Sequence, residues 1–167
     1  VELECFAQNE RALRLYAGRG LAQVAPLYGY ARAADRPLPQ APGTAGTEAD
    51  LADACDWLDR CGADLPLQVT PRSLRALPVH LRTWRRGSAQ LVFSGADGGP
   101  VTLHSLVDPS PAQADAQALV TGLLHACAGR AFHVPQLQRP DVGGEALERA
   151  GFERLPLHQL FMRRDFP

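Results

Sequence analysis

The side chains able to do chemistry in this 167-residue sequence are few and scattered. Five histidines (His80, His104, His125, His133, His158) could hold a metal or act as general bases. None stands four residues from another His or a carboxylate in a ligand motif, so no metal is expected. His104 is the best placed, but its neighbours Leu103 and Leu106 suit a partly buried strand histidine equally well. Ser94 lacks the GxSxG elbow of a nucleophile, and the glycine-rich run 95–99 reads as a hairpin turn, since no helix follows to make a phosphate cradle. Cys5, Cys55, Cys61 and Cys127 contain no CxxC pair and lack the spacing of a disulfide framework, which predicts a reduced, cytoplasmic setting. Arg82-Thr83-Trp84-Arg85-Arg86 is the one basic and aromatic cluster, read as a solvated face with Trp84 partly buried or as a contact for an acidic partner. Tyr16 falls at helical spacing and Asn9 suits a helix N-cap.

The elements that must position these residues follow from periodicity. Residues 1–6 alternate as a half-buried strand, and Asn9 then opens a helix that Gly20 stops. Residues 21–32 return to a strand, where Pro26 and Gly29 predict an edge or a bulge rather than a central strand. Residues 33–47 form a linker: 33–46 carry three prolines and almost no large apolar side chain. Thr47 is expected to cap an amphipathic helix bearing Leu51, Cys55 and Leu58, and Thr70-Pro71 to open a short one running through Leu77. Residues 89–93 and 101–107 read as a hairpin, 112–127 as a long helix, 132–137 as a strand, 145–150 as a helix and 152–164 as one or two final strands.

Composition removes several classes of function. The net charge of −1 withdraws the electrostatic attraction behind non-specific nucleic-acid binding, and no apolar run is long enough to span a membrane. All seventeen basic residues are Arg and Ile is absent, which predicts a GC-rich bacterial gene. The chain opens on Val1 and has its one Met at Met162, from which a longer parent protein is expected.

Shifting the chain start by 131 positions lays Val1 on Phe132, Gly20 on Gly151 and Arg32 on Arg163 without a gap, and strand, helix, glycine and strand recur in order. Residues 9–21, Asn9-Glu10-Arg11-Ala12-Leu13-Arg14-Leu15-Tyr16-Ala17-Gly18-Arg19-Gly20-Leu21, resemble the late motif N-x-x-A-x-x-L-Y-x-x-x-G-F of the GCN5-related N-acetyltransferase (GNAT) family, with Leu21 in place of the aromatic. The later part of the chain resembles the same family in the order of its elements.

The resemblance implies an α/β (α+β) fold, a mixed twisted sheet with helices on both faces. It divides the chain into 1–32, the strand-helix-strand tail of a first unit; the linker 33–47; and 48–167, a second, degenerate unit. It implies a parent enzyme that moves an acetyl group from acetyl-CoA to a primary amine on a small molecule or peptide. Asn9 would lie beside the acyl-CoA arm and Tyr16 would protonate the departing thiolate. The family's pyrophosphate loop, Q/R-x-x-G-x-G/A, is replaced by Asp108-Pro109-Ser110-Pro111-Ala112-Gln113-Ala114-Asp115, and Leu147 stands where the repeat puts Tyr16. Prolines cannot donate and acids repel phosphate, so acetyl-CoA is expected to bind mainly through an upstream unit, leaving 48–167 to build an interface or shape an acceptor site. A strand edge at Val1 could also pair two copies into a homodimer.

Overall fold

The computed structural model describes residues 1–43, 46–95 and 98–165; part of the 33–47 linker and part of the 95–99 turn therefore lie outside the described residues. Eight strands form one sheet: β1 (Glu2–Phe6), β2 (Ala22–Arg32), β3 (Thr47–Ala49), β4 (Arg82–Arg86), β5 (Ala89–Ser94), β6 (Val101–Val107), β7 (Phe132–Gln138) and β8 (Glu153–Arg163). Five α-helices accompany them: α1 (Glu10–Gly18), α2 (Leu51–Arg60), α3 (Pro71–Arg75), α4 (Ala114–Ala126) and α5 (Gly144–Arg149). The order across the sheet is β1-β8-β2-β7-β6-β5-β4-β3, and every neighbouring pair is antiparallel except β6 and β7.

Helices cover both faces. Successive strand residues point to opposite sides. In β4, Arg85 donates to the Asp53 carbonyl of α2, while Arg86 pairs with Asp115 of α4 at 3.3 Å. The core lies mainly between α4 and the sheet, where Leu91, Phe93, Leu103, Leu106, Leu119, Leu123 and Leu124 are fully buried. Each such leucine contributes about 1.5–3 kcal/mol by leaving water.

Three local expectations change. β2 is not an edge strand: it lies between β8 and β7, and register shifts at Gln23/Ala25 and at Tyr28/Tyr30 absorb its irregular residues. Gly29 sits at the second shift, where an added Cβ would stand 3.2 Å from both the Leu155 side chain and the Val134 carbonyl. Thr47 does not cap α2; residues Thr47–Ala49 pair with β4, and Asp50 caps the helix by accepting from Asp53 N at 2.7 Å. The basic cluster 82–86 is a paired strand, joined to β5 by the two-residue turn Gly87-Ser88, where Gly87 has φ +47°.

The first and last thirds of the chain interlock. β8 lies between β1 and β2, and β2 lies between β8 and β7. Leu27 pairs with Gln159 and Tyr28 with His158; under the 131-residue shift Gln159 corresponds to Tyr28 and His158 to Leu27. A pseudo-two-fold axis therefore runs between these pairs, relating β1-α1-β2 to β7-α5-β8. Tyr30 of β2, fully buried, donates its hydroxyl to Glu148 of α5 at 3.3 Å, and Arg154 of β8 also holds that carboxylate.

Candidate functional site

Asn9 and Tyr16 lie on one helix. Asn9 caps α1, its Oδ1 accepting from Ala12 N at 3.2 Å. Tyr16 stands seven residues on, hence on the same side of the helix and about 10 Å further along. It is half-buried, and its hydroxyl makes no hydrogen bond among the described residues. No residue of α1 is buried, and Leu15 is 57% exposed. The corresponding positions in α5, Ala146 and Leu147, are fully buried, because α4 packs on α5. The apolar side of α1 has no such cover.

The N-terminus of α4 is the place where a helix would meet a pyrophosphate. It already holds an anion of its own. Asp108 is fully buried, and its carboxylate accepts from Ser88 Oγ at 2.8 Å, Ser110 N at 3.0 Å and Ala116 N at 3.0 Å. Burial works to raise its pKa, but the bonds from Ser88, Ala116 and Ser110 outweigh burial and hold the carboxyl below its ordinary value. Gln113, in the left-handed region at φ 48°, turns its side chain inward, donating to Pro140 O at 2.8 Å and accepting from Ala146 N at 3.0 Å. Asp115 adds a second carboxylate, bound by Ser88 N at 3.0 Å and by Arg86. Asp108 thus takes the Ser110 and Ala116 N–H groups at the start of α4, and Asp115 sets a second negative charge beside them.

The crevice next to this helix end is closed as well. β6 and β7 pair in parallel only at Val101/Phe132 and Thr102/His133 and then part. Between parted parallel strands a ligand commonly enters. Gln138 spans the gap, donating to Leu106 O at 3.0 Å, and Asp108 N bonds Val142 O at 2.8 Å. The remaining cavity, beside Leu65, Val69 and Leu137, is about 10 Å³, no more than the space of one water. The residues of 48–167 therefore do not fit acetyl-CoA at the position the family resemblance implies.

One cleft remains open on the α3 side, about 310 Å³, lined by Gln68, Ser73, Leu77, His104, Pro135 and Leu137. His104 Nε2 lies 2.8 Å from Ser94 Oγ, and burial lowers the pKa of the imidazole, which favours its neutral form. Neither residue type nor spacing in the sequence joins these two residues. The hairpin register could have joined them: Ser94 pairs with Thr102, whose side chain shares a sheet face with that of His104. The other histidines are dispersed, and no group of metal-ligating residues occurs among the described residues. No helix among them is long and apolar enough to cross a membrane.

No protein family matches the sequence and no curated protein matches it. Solved structures do match the fold. A GCN5-related N-acetyltransferase from Kribbella flavida superposes with a TM-score of 0.56 at 14% identity, over 99% of this chain and 68% of the other. One from Sphaerobacter thermophilus gives 0.53 at 16% identity, over 98% and 59%. Eis1 from Mycobacterium abscessus gives 0.54 at 15% identity, over 96% and 46%. The chain has the fold of the GCN5-related N-acetyltransferases, and it spans 59% of the length of the Sphaerobacter thermophilus protein and 46% of Eis1.

Proposed function

We propose that this chain is part of an acyl-CoA-dependent N-acetyltransferase that moves an acetyl group from acetyl-CoA to a primary amine. In this reading residues 1–32 complete a first acetyltransferase unit, and 48–167 form a second unit that holds no acetyl-CoA. The observation that carries it is the contrast between α1 and α5. The two helices are related by the pseudo-two-fold, yet α5 is covered by α4 while α1 leaves Leu15 and part of Tyr16 bare. A first unit would supply to α1 what α4 supplies to α5, and would bring acetyl-CoA against Asn9 and Tyr16. The amine nitrogen then attacks the thioester carbonyl, the C–N bond forms as the C–S bond breaks, and the Tyr16 hydroxyl gives its proton to sulfur. The base that takes the amine's proton comes from the first unit. Replacing Tyr16 by Phe in the full-length protein should lower kcat by about 10²-fold with KM for acetyl-CoA little changed; undiminished turnover would remove Tyr16 from the reaction.

The Asp108 site favours a second reading for residues 48–167 taken alone: a non-catalytic module that forms an interface or shapes the acceptor site. The cleft at His104 supports the acceptor-shaping role, since it offers an imidazole, held by Ser94 Oγ at 2.8 Å, beside the apolar wall of Leu77, Pro135 and Leu137.

A further inference from the structure

The cleft beside α3, about 310 Å³, has the volume of a small-molecule site. Its lining divides by chemistry. Leu77, Pro135 and Leu137 supply apolar surface, while Gln68, Ser73 and His104 supply polar atoms. Among the described residues no acidic or basic side chain other than His104 lines it, and burial lowers the pKa of that imidazole, which keeps it neutral.

The donors of Gln68 and Ser73 are already engaged within the fold. The Gln68 amide donates from Nε2 to Glu4 Oε2 at 2.6 Å and to Gln136 O at 3.5 Å, and Ser73 Oγ donates to Leu67 O at 2.5 Å. Acceptors remain. Gln68 Oε1 takes no hydrogen bond among the described residues and is not sealed from solvent, and a serine oxygen whose proton is engaged keeps its lone pairs. His104 uses Nε2 on Ser94 Oγ at 2.8 Å, which leaves it one further ring nitrogen. Glu4 sets the sign of charge that the cleft tolerates. Its carboxylate is bonded to Gln68, and its Oε1 is sealed from solvent without a partner among the described residues. An anion in the cleft would meet this charge behind Gln68 and find the amide and hydroxyl protons taken; a hydrogen-bond donor would find acceptors.

We propose that this cleft binds a compact molecule with an apolar body and a head that donates hydrogen bonds, an alcohol or an amine, with Leu77, Pro135 and Leu137 receiving the body and Gln68, Ser73 and His104 accepting from the head. The inference deepens the acceptor-shaping reading of residues 48–167 and rests on it for the role of the ligand, which would be the acceptor or a part of it. Packing within the fold accounts for the bonds that Gln68 and Ser73 make, but not for the open space beside them.

The test titrates three probes of similar size, benzyl alcohol, benzylamine and benzoate, into the isotope-labelled 167-residue chain at constant ionic strength, following the backbone amide resonances of Ser73, Leu77 and Leu137. The expected result is a saturable shift at these residues with a Kd of about 1 mM or tighter for at least one of the two donors. Benzoate should bind at least about tenfold more weakly. Tighter binding of benzylamine identifies a cationic head, and tighter binding of benzyl alcohol a neutral one. Leu77→Trp, which fills the cleft, should remove the shift; if that variant does not fold, the comparison of the three probes decides alone. The absence of a saturable shift with either donor overturns the proposal, as does benzoate binding as tightly as the donors, or full affinity in folded Leu77→Trp. Failure here leaves the acyl-transfer reading standing, because that reading is measured separately, by the turnover of full-length Tyr16→Phe.

Discussion

Asp108 shows how one residue can both build a helix and remove a binding site. Its carboxylate gathers a hydroxyl and two backbone N–H groups at the start of α4, with no exposure to water. Asp108→Ala strands these donors in a buried place and should cost about 3 kcal/mol of stability, read from denaturant unfolding. The sign of the pH dependence follows from the lowered pKa. Its stabilisation is fully present above the unfolded Asp value of about 3.9 and is lost as pH falls through the lower folded value. Acid unfolding of the wild type should therefore steepen below about pH 4, and Asp108→Asn should flatten that limb; equal acid sensitivity in the two would contradict the account. The sequence made half of this visible. Two acids and two prolines in place of glycines already excluded a phosphate loop, but that Asp108 itself takes the anion's place depends on Ser88, twenty residues earlier in the chain.

At the scale of elements, α1 and β1 are the unfinished parts. Among the described residues β1 pairs with β8 alone, which leaves its outer edge open, and Val1 and Phe6 are exposed beside it at 64% and 43%. Such an edge invites pairing. Light scattering of the isolated chain should show a dimer, and Phe6→Lys beside the open edge should return the chain to monomer. A wild-type chain that is monomeric at high concentration would contradict pairing through this edge. Helices are legible where the cap is local and uncontested: Asn9 and Thr70 bond within their own turns, whereas Thr47 pairs with β4 and leaves the cap of α2 to Asp50. Strands were read less evenly. β4 hid because Arg82-Thr83-Trp84-Arg85-Arg86 has no apolar alternation; its arginines instead reach α2 and α4 on opposite faces. For β2, Pro26 and Gly29 point to an edge or a bulge: the bulges are there, at Gln23/Ala25 and Tyr28/Tyr30, but the strand is central, because its partners β7 and β8 come from the far end of the chain.

For the whole molecule, the interlocked halves explain why the 131-residue periodicity was legible without identities. Each β-α-β segment must fit its second strand between the strands of the other, so lengths and the placing of glycine are constrained while side chains are not. The chemistry was legible only as far as residues close in sequence carry it. The Ser94 and His104 pair and the plug at Gln138 both arise from contacts between neighbouring strands. The central claim is that the chain has the acetyltransferase fold and that in the proposed second unit, residues 48–167, the acetyl-CoA position is taken by the unit's own side chains. Calorimetric titration of acetyl-CoA into this 167-residue chain, beside the same titration into the full-length protein, tests it most directly. The account predicts binding by the full-length protein and none by the chain at acetyl-CoA concentrations up to about 1 mM. Micromolar binding by the chain alone would show that the Asp108 loop opens to hold the ligand, and would contradict the account.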